Sequence, residues 1–349
     1  MKTRRLMRPP LRPPLRRLSR RLSRRAFQQR GAALLLAMVI VALITTVASG
    51  MVWLQTRAVQ VEAAERARAQ AAWILSGALD WARLILKEDG REAGRRGQPR
   101  DSLDEPWATP LAEARLSTFL AADKDNNTDT GPEAFISGAI VDAQSRFNLR
   151  GLVDPAGKQQ PLQVAALQRL ADLAGAPGDT AARIAGGLSA ALGGGNEEGA
   201  PGSPSASRPL RPGQLADLVW LGIEPATLAR LAPWVELLPL ATPVNANTAP
   251  REVLLAAIDG IDLGTAERLV LARQRKPFES LAEIEALLPK SESVKVDGSR
   301  IGVASSWFLV SGRLRLEERV LEERSLLQRD GDRVSVRRRE RHSFTAAAP

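Results

Sequence analysis

A long apolar run near the N-terminus is the clearest hydrophobic pattern in the sequence. No charged residue occurs between Gly31 and Thr56, and Arg30 and Arg57 bound the run. About 20 consecutive apolar residues are enough to span a bilayer as a helix, so the run predicts one transmembrane helix. The arginines before it place the N-terminus in the cytoplasm by the positive-inside rule. A cleavable secretory signal that ends near Ala48–Gly50 is the alternative.

Helix-forming sequence continues beyond the apolar run. Ala, Glu, Gln and Arg dominate residues 57–75 and favour helices, and Glu62 and Arg66 form an i,i+4 pair. Apolar side chains then recur at helical spacing and define one face: Ile74, Ala78, Trp81, Ala82 and Ile85. The pattern predicts a single helix from about Ala32 to Lys87, whose first half lies in lipid and whose second half packs on a domain.

The period of the pattern changes twice in the rest of the chain. Residues 88–134 read as loops and short helices, and apolar residues around 135–141 predict strands. Residues 161–290 have mostly helical spacing, interrupted by a Gly/Pro/Ser-rich loop at 193–207. Alternation then returns, and Asp330-Gly331 predicts a hairpin turn before a short strand at Val334–Val336. A helical region between two β stretches predicts an insertion into one α/β domain.

The net charge of +10 is concentrated in the first 30 residues. They hold 12 Lys or Arg and no acid, which leaves 37 basic against 39 acidic residues in the rest. The body is therefore near neutral, which weakens an electrostatic case for nucleic-acid binding. The cluster Arg337–Arg341 is either a nucleic-acid patch or a solvated terminal strand.

The composition leaves little material for catalysis. The chain has no cysteine, and its one histidine, His342, stands among arginines near the C-terminus. Nucleophile–histidine triads and transition-metal centres therefore lack their usual residues. A hydrolase that uses a pair of carboxylates is the least favoured interpretation, because no recognisable motif places such a pair.

The start of the apolar run resembles the processing site of type IV pilins and of the pseudopilins of type II secretion. Gln28-Gln-Arg-Gly31 stands directly before it. The resemblance implies that a prepilin peptidase cuts between Gly31 and Ala32. Two positions depart from the family pattern: Ala32 replaces a large apolar residue, and Leu36 replaces the usual glutamate. A pilin-like chain without this glutamate resembles the minor pseudopilin GspK family, whose members cap the pseudopilus tip.

Two further stretches carry the same resemblance. Residues Gly138 to Leu149 are similar to the family signature G-x-I-x-D-x-Q-x-R-F-N-L, and Pro243–Pro250 matches another recurrent stretch. The resemblance implies an α+β fold in which a long N-terminal helix packs on a small antiparallel sheet, with a large all-helical domain (helix-hairpin-helix or SAM-like) inserted between strands. The expected domains are a cleaved leader, a transmembrane part, a periplasmic helix with the first part of the sheet, the insertion and the closing strands, at residues 1–31, 32–54, 55–160, 161–303 and 304–349.

The stretch Asn247–Arg273 resembles a helix-hairpin-helix module. Thr248 is a candidate helix N-cap, with Pro250 near the first turn. DNA-binding versions place a second glycine in the hairpin, where backbone amides meet a phosphate. Here the hairpin is Gly260-Ile261-Asp262, and the aspartate would repel phosphate. A packed helical hairpin without DNA is the favoured interpretation.

A run of oxygen-bearing side chains resembles a calcium loop. Asp123, Asp125, Asn127 and Asp129 alternate as calcium ligands do. Thr128 replaces the turn glycine, and the acid expected at the twelfth position is displaced, so an ordinary solvated turn is the alternative. These four residues are the candidate metal ligands, with calcium as the candidate ion.

The resemblance implies a non-enzymatic function in the inner membrane, with the C-terminal domain in the periplasm. Such a protein initiates the pseudopilus at its tip and supports export of folded proteins across the outer membrane. The implied partners are other minor pseudopilins, the major pseudopilin and the prepilin peptidase, and no nucleic acid. The alternative is a membrane-anchored helix-hairpin-helix DNA-binding protein of the competence type.

Overall fold

The computed structural model describes residues 22–97, 99–116, 134–192, 209–291, 294, 296–316 and 319–345. The candidate calcium residues Asp123, Asp125, Asn127 and Asp129 and the Gly/Pro/Ser-rich loop lie outside them. The chain divides into two compact units, Met1–Gln70 and Ala71–Pro349. In the first unit, the described residues belong to helix α1.

Helix α1 covers Leu22–Arg96. It begins earlier and ends later than the predicted Ala32–Lys87. The extension through residues 88–96 corrects the prediction of loops there. The contact made by Gly90 explains why the helix continues past this glycine. This glycine lies so close to the backbone of Gly331 that no side chain would fit between them. The glycine therefore serves a close helix–hairpin approach rather than ending the helix.

Nine strands follow α1 in the described residues. They are β1 (Leu111–Arg115), β2 (Ala134–Asp142), β3 (Phe147–Asn148), β4 (Val235–Glu236), β5 (Val244–Asn245), β6 (Ile301–Gly302), β7 (Trp307–Leu316), β8 (Arg319–Asp330) and β9 (Arg333–Thr345). Five of them form one antiparallel sheet in the order β1-β2-β7-β8-β9. The pairs β3/β4 and β5/β6 are short and parallel.

The second unit packs part of α1 on this sheet. Apolar side chains of α1 meet apolar side chains of β7, β8 and β9 in two clusters; they include Leu75, Leu79, Leu86, Phe308, Leu314, Leu327 and Val334. The apolar face predicted at 74–85 is confirmed in its buried member Ala82, whereas Trp81 is half exposed. Leu75, Leu79 and Leu86 complete the stripe at helical spacing.

A helical domain occupies the chain between β2 and β7, as the predicted fold class requires. Its helices are α2 (Pro161–Leu173), α3 (Thr180–Leu192), α4 (Pro225–Leu231), α5 (Arg251–Ala257), α6 (Leu263–Arg275) and α7 (Leu281–Glu285). One apolar core joins them, and it also takes in Phe147, Leu149 and Leu152 from the end of the signature stretch. The exact domain boundaries stay predictions.

Three local predictions need correction. Residues 88–134 contain strand β1, which has no alternating apolar pattern because it is a largely exposed edge strand. The short strand expected at Val334–Val336 is the 13-residue β9, and the segment before the turn, which carries no predicted strand of its own, is the 12-residue β8. Their many charged residues hide the strand pattern, and some of them pair across the strands, as Arg339 and Arg341 do with Glu323. The Asp330-Gly331 hairpin is confirmed, with Gly331 at φ 59°.

Candidate assembly helix and the buried joint of the signature motifs

The predicted processing site lies within helix α1. Gly31 and Ala32 are both helical and exposed, and Leu36 is 63% exposed. The other large apolar side chains from Leu34 to Leu54 are equally uncovered by the described residues. Within those residues, Gly31–Arg95 is the helix whose length and composition would let it cross a membrane. Such a surface needs lipid or other apolar helices around it.

The signature stretch builds a buried joint between the sheet and the helical domain. Its centre is Asp142, at the end of β2, which is 2% exposed. One carboxylate oxygen accepts from the backbone N–H of Gln144 at 2.7 Å. The other accepts from Thr248 Oγ1 at 2.6 Å, Ser305 Oγ at 2.6 Å and Asn245 Nδ2 at 3.0 Å. Asp142 thereby ties β2 to Asn245 and Thr248 within the inserted domain and to Ser305 just after it.

This joint corrects the role predicted for Thr248. Helix α5 begins at Arg251, and its N-cap residue is Pro250. The Thr248 hydroxyl is turned to the carboxylate of Asp142 instead of capping the helix. An N-cap hydroxyl would accept from a helix N–H, whereas this hydroxyl donates to a carboxylate. Hydrogen bonds to carboxylates are among the stronger ones, so the tertiary contact prevails over the local pattern.

The other polar residues of the signature are backbone clamps. Gln144 donates to the carbonyl of Pro243 at 3.1 Å and accepts from the N–H of Ser306 at 2.7 Å. Asn148 donates to the carbonyl of Leu240 at 2.7 Å and accepts from the N–H of Leu238 at 3.2 Å. Because unpaired buried backbone groups are costly, these amides hold irregular loops in place. The signature is therefore structural, and sequence reasoning did not foresee this role.

The stretch Pro243–Pro250 completes the joint. Asn245 Nδ2 also donates to the carbonyl of Asp101 at 3.0 Å and to Ser305 Oγ at 2.9 Å. Asn247 donates to the carbonyl of Phe278 at 2.9 Å and accepts from its N–H at 2.8 Å. Asn245 therefore contacts residues next to the sheet, and Asn247 holds the segment before α7. Burial raises the pKa of Asp142, and the hydrogen bonds from Ser305 and Thr248 oppose that rise.

A second buried cluster joins α1 to the sheet. Arg329 on β8 forms ion pairs with Asp89 of α1 and Asp101, and its side chain is 7% exposed. Burial by itself would lower the pKa of Arg329, but the charges of Asp101 and Asp89 outweigh it and raise the pKa. Asp89, Asp101 and Glu105 bring three carboxylates within 4.8 Å of one another. Arg329 already supplies the positive charge between two of them.

Burial raises the pKa of two members of this cluster, Asp101 and Glu105. Burial raises the pKa of Glu105 from its ordinary 4.5 to about 7, against the hydrogen bond from Trp107 Nε1. That bond is 2.8 Å long, and the backbone N–H of Ser102 donates to the same oxygen at 3.1 Å. The folded chain therefore holds a proton at Glu105 that the unfolded chain has released at the same pH.

The free energy of unfolding should consequently fall as the pH rises from 4.5 to about 7, because the native state binds more protons across that window. Below pH 4.5 both states are protonated, so the contribution of Glu105 levels off. A Glu105→Gln variant keeps the acceptor for Trp107 and should show a flatter dependence. Urea unfolding at a series of pH values measures this, and equal slopes in the two proteins would contradict the assignment.

The helix-hairpin-helix stretch is a packed hairpin. Gly260 has φ 79°, and Asp262 is the N-cap of α6, where its side chain accepts from the N–H of Thr265 at 2.7 Å. Hydrogen bonds from Thr265 lower the pKa of Asp262. The carboxylate thus occupies the helix end that a phosphate would use, a more direct obstacle than the predicted repulsion. On the other flank, Arg169 and Arg300 both pair with Asp259.

The C-terminal arginine cluster lies on β9, as the terminal-strand interpretation expects. Arg339 and Arg341 form ion pairs with Glu323 of β8, and Arg338 pairs with Glu340. His342 is exposed. These three arginines are thus paired within the chain.

Comparison with known proteins agrees with this architecture. Two family descriptions, both of type II secretion system (T2SS) protein K, match residues 145–240 and 244–304. The chain is 30% identical over 318 residues to type II secretion system protein K of Pseudomonas aeruginosa, covering 87% of this chain and 90% of that protein. It is 29% identical to the protein K of Klebsiella pneumoniae, covering 88% of this chain and 95% of that protein.

A solved structure has the same fold. One chain of the crystal structure of the GspK-GspI-GspJ complex from the enterotoxigenic Escherichia coli type 2 secretion system aligns with a TM-score of 0.56 and 21% identity. The alignment covers 80% of this chain and 98% of that chain. The resemblance inferred from the processing site and the two signature stretches is therefore confirmed: this chain belongs to the type II secretion system protein K family, the minor pseudopilin GspK.

Proposed function

We propose that this chain caps the tip of the type II secretion pseudopilus, where it initiates assembly and supports export of folded proteins across the outer membrane. Leu36 carries this proposal. It is an exposed apolar residue where pilin-like helices carry a glutamate for a neighbouring subunit. A subunit without that carboxylate suits a position with no neighbour above it. Family membership supplies the secretion context.

The proposed topology follows from the charge pattern and helix α1. The arginine-rich residues 1–31 form a cytoplasmic leader that prepilin peptidase removes between Gly31 and Ala32. Residues 32–54 anchor the chain in the inner membrane. The periplasmic part comprises the periplasmic helix with the first part of the α/β domain (55–160), the inserted helical domain (161–303) and the closing strands (304–349). A helix long and apolar enough for an anchor supports this proposal.

The proposed partners are the other minor pseudopilins, and then the major pseudopilin below them. In the related crystal structure, GspK is in a complex with GspI and GspJ. In this chain, α1 exposes apolar side chains on all sides between Leu34 and Leu54, which suits contact with apolar helices of such subunits as well as with lipid. We propose no catalytic activity.

Export in a deletion strain tests the proposal. Loss of the gene should abolish secretion of type II substrates, and the wild-type chain should restore it. N-terminal sequencing of the mature protein should give Ala32 as its first residue. A Gly31→Leu chain should stay unprocessed and fail to restore export, whereas Gly50→Leu, the same change further along α1, should be processed normally. Normal export from the deletion strain would contradict the proposed function, and Met51 as first residue would contradict the processing site.

Two minor assignments have their own tests. Calcium remains a prediction for Asp123, Asp125, Asn127 and Asp129. Titration calorimetry should show binding that Asp125→Ala removes, and the absence of calcium heat would contradict it.

The competence-type alternative predicts a DNA shift in gel electrophoresis. The Asp262 cap makes us expect none.

A further inference from the structure

Strand β9 forms one edge of the five-stranded sheet. In the order β1-β2-β7-β8-β9 it has β8 on one side and, among the described residues, no strand on the other. β9 has 13 residues, whereas β1 at the opposite edge has 5. A long edge strand presents a row of backbone N–H and C=O groups that can pair with a further chain.

The hydrogen bonds of β8 show which backbone groups of β9 face outward. The N–H of Arg329 donates to the carbonyl of Ser306, on the β7 side, at 2.8 Å. Successive residues of an antiparallel strand bond to opposite neighbours, so Val334, the partner of Arg329 on β9, directs its own backbone groups away from β8. Arg83 of α1 donates to the carbonyl of Val334 at 3.1 Å, as this alternation requires. The first part of the edge is therefore already in contact with α1.

The part of the edge that stays open begins after a bulge. β9 has one extra residue, Arg337, where its register on β8 shifts. The ladder between β7 and β8 has no such shift, so the alternation continues along β8, and Leu326 directs its backbone groups toward its partner Arg338. The residues of β9 beyond the bulge whose backbone groups point outward are Arg339, Arg341, Ser343 and Thr345. The side chains of residues 341–345 are all exposed.

The charges along this open edge favour an acidic partner. Arg339 and Arg341 form ion pairs with a single carboxylate, that of the buried Glu323, and both arginine side chains stay partly exposed. Glu340, the acid between them, pairs with Arg338, and both lie on the other face because side chains alternate along a strand. Two guanidinium groups and one carboxylate leave one positive charge, beside the backbone groups that are free. Opposite charges on neighbouring strands stabilise their pairing, and like charges oppose it.

We propose that the edge of β9 from Arg339 to Thr345 binds an acidic extended segment of another protein as an added antiparallel strand. The backbone groups of Arg339, Arg341 and Ser343 pair with the segment, and its acidic side chains lie beside the two arginines. A second copy of this chain fits less well, because its own β9 would bring the same arginines to the contact. This edge is separate from the helix contacts of α1 and does not depend on the proposed place of the chain in the pseudopilus.

Binding of synthetic peptides to the full chain in lipid nanodiscs tests the edge. A fluorescent peptide of alternating glutamate and valine should bind, and the same peptide with lysine for glutamate should bind at least about tenfold more weakly. In antiparallel pairing, the glutamates opposite Arg339 and Arg341 direct their N–H groups to β9, whereas the valines direct theirs away. Methylating the glutamate amide nitrogens should therefore weaken binding at least about tenfold, and methylating those of the valines should not.

The two methylated peptides carry the same charges and differ only in which N–H groups remain. Equal affinities of the two would overturn the proposal, because charge alone would then account for binding. Failure of the unmethylated acidic peptide to bind would overturn it as well.

Two substitutions at Ser343 test the position of the added strand. Ser343→Pro removes an outward N–H, a change that an edge strand tolerates, so the protein should melt at nearly the same temperature but bind the acidic peptide at least about tenfold more weakly. Ser343→Ala keeps the N–H and removes the hydroxyl, and it should bind as the wild type does. Unchanged binding by Ser343→Pro would overturn the placement on β9. Self-association of the full chain that Ser343→Pro abolishes would overturn the choice of an acidic partner.

Discussion

Replacing Arg329 with leucine should destabilise the second unit by about 3–5 kcal/mol, enough to unfold much of the protein. The guanidinium is the positive charge between Asp89 of α1 and Asp101, and all three side chains are largely buried. Leucine would leave two carboxylates buried without a counter-charge. Arg329 also lies over the ring of Phe308, with its Cζ 4.8 Å from the ring centroid, a contact that leucine replaces only in part.

Urea unfolding of the full chain, followed by circular dichroism, measures this loss. Arg324→Leu is the matched control. It lies on the same strand, and its ion pair with Glu322 involves an arginine side chain that is 64% exposed, so we expect a change within about 0.5 kcal/mol. Adding Asp89→Asn and Asp101→Asn to Arg329→Leu should recover part of the stability. Equal stability of Arg329→Leu and Arg324→Leu would refute the assigned role of the cluster.

Replacing Asp142 with alanine should cost about 3 kcal/mol or more and loosen the inserted domain from the sheet. The carboxylate accepts from four donors: Gln144 N–H, Thr248 Oγ1, Asn245 Nδ2 and Ser305 Oγ. Alanine leaves these buried donors without that acceptor and opens a small void. Because Thr248 lies within the insertion and Ser305 lies between the insertion and β7, both the inserted domain and its exit to the sheet lose an attachment to β2.

Hydrogen exchange separates this local loosening from global unfolding. In Asp142→Ala, the amides of Gln144, Ser305 and Ser306 should exchange faster than those in the core of β8. Asp142→Asn keeps one acceptor oxygen and should show a smaller loss. Asp154→Ala removes a carboxylate that accepts from exposed turn amides and, at 3.4 Å, from Gln160 Nε2, and should cost about 1 kcal/mol. Uniformly accelerated exchange across the sheet would argue against a joint at Asp142.

The features that sequence predicted well rest on long or repeated patterns. The apolar run, the helical continuation and the hairpin at Asp330-Gly331 depend on periodicity and turn chemistry that act locally. Each survives tertiary packing because packing uses the same faces. The insertion between strands was predictable because a change of period persists over more than a hundred residues.

The joint could not be predicted, because its partners come together only in the folded chain. Nothing near Thr248 indicates that its hydroxyl turns to Asp142, more than a hundred residues away. The raised pKa of Glu105 depends on burial that its neighbours in sequence do not reveal. Strand β1 could not be predicted because it is a largely exposed edge strand, in which apolar and polar residues do not alternate. The signature residues were noticed as a family pattern, yet only the contacts explain why they are polar.

The register of β2 and β7 bears on how a chain with this inserted helical domain could arise. Asp142, the last residue of β2, pairs directly with Phe308 near the start of β7, so the chain leaves the sheet and re-enters it at adjacent positions. In topological terms, the helical domain is the connecting loop of an antiparallel hairpin. A turn of a few residues would close the same two strands and leave the five-stranded order intact. An ancestral subunit with such a turn could therefore gain the whole domain in one insertion event, without any strand changing its neighbour.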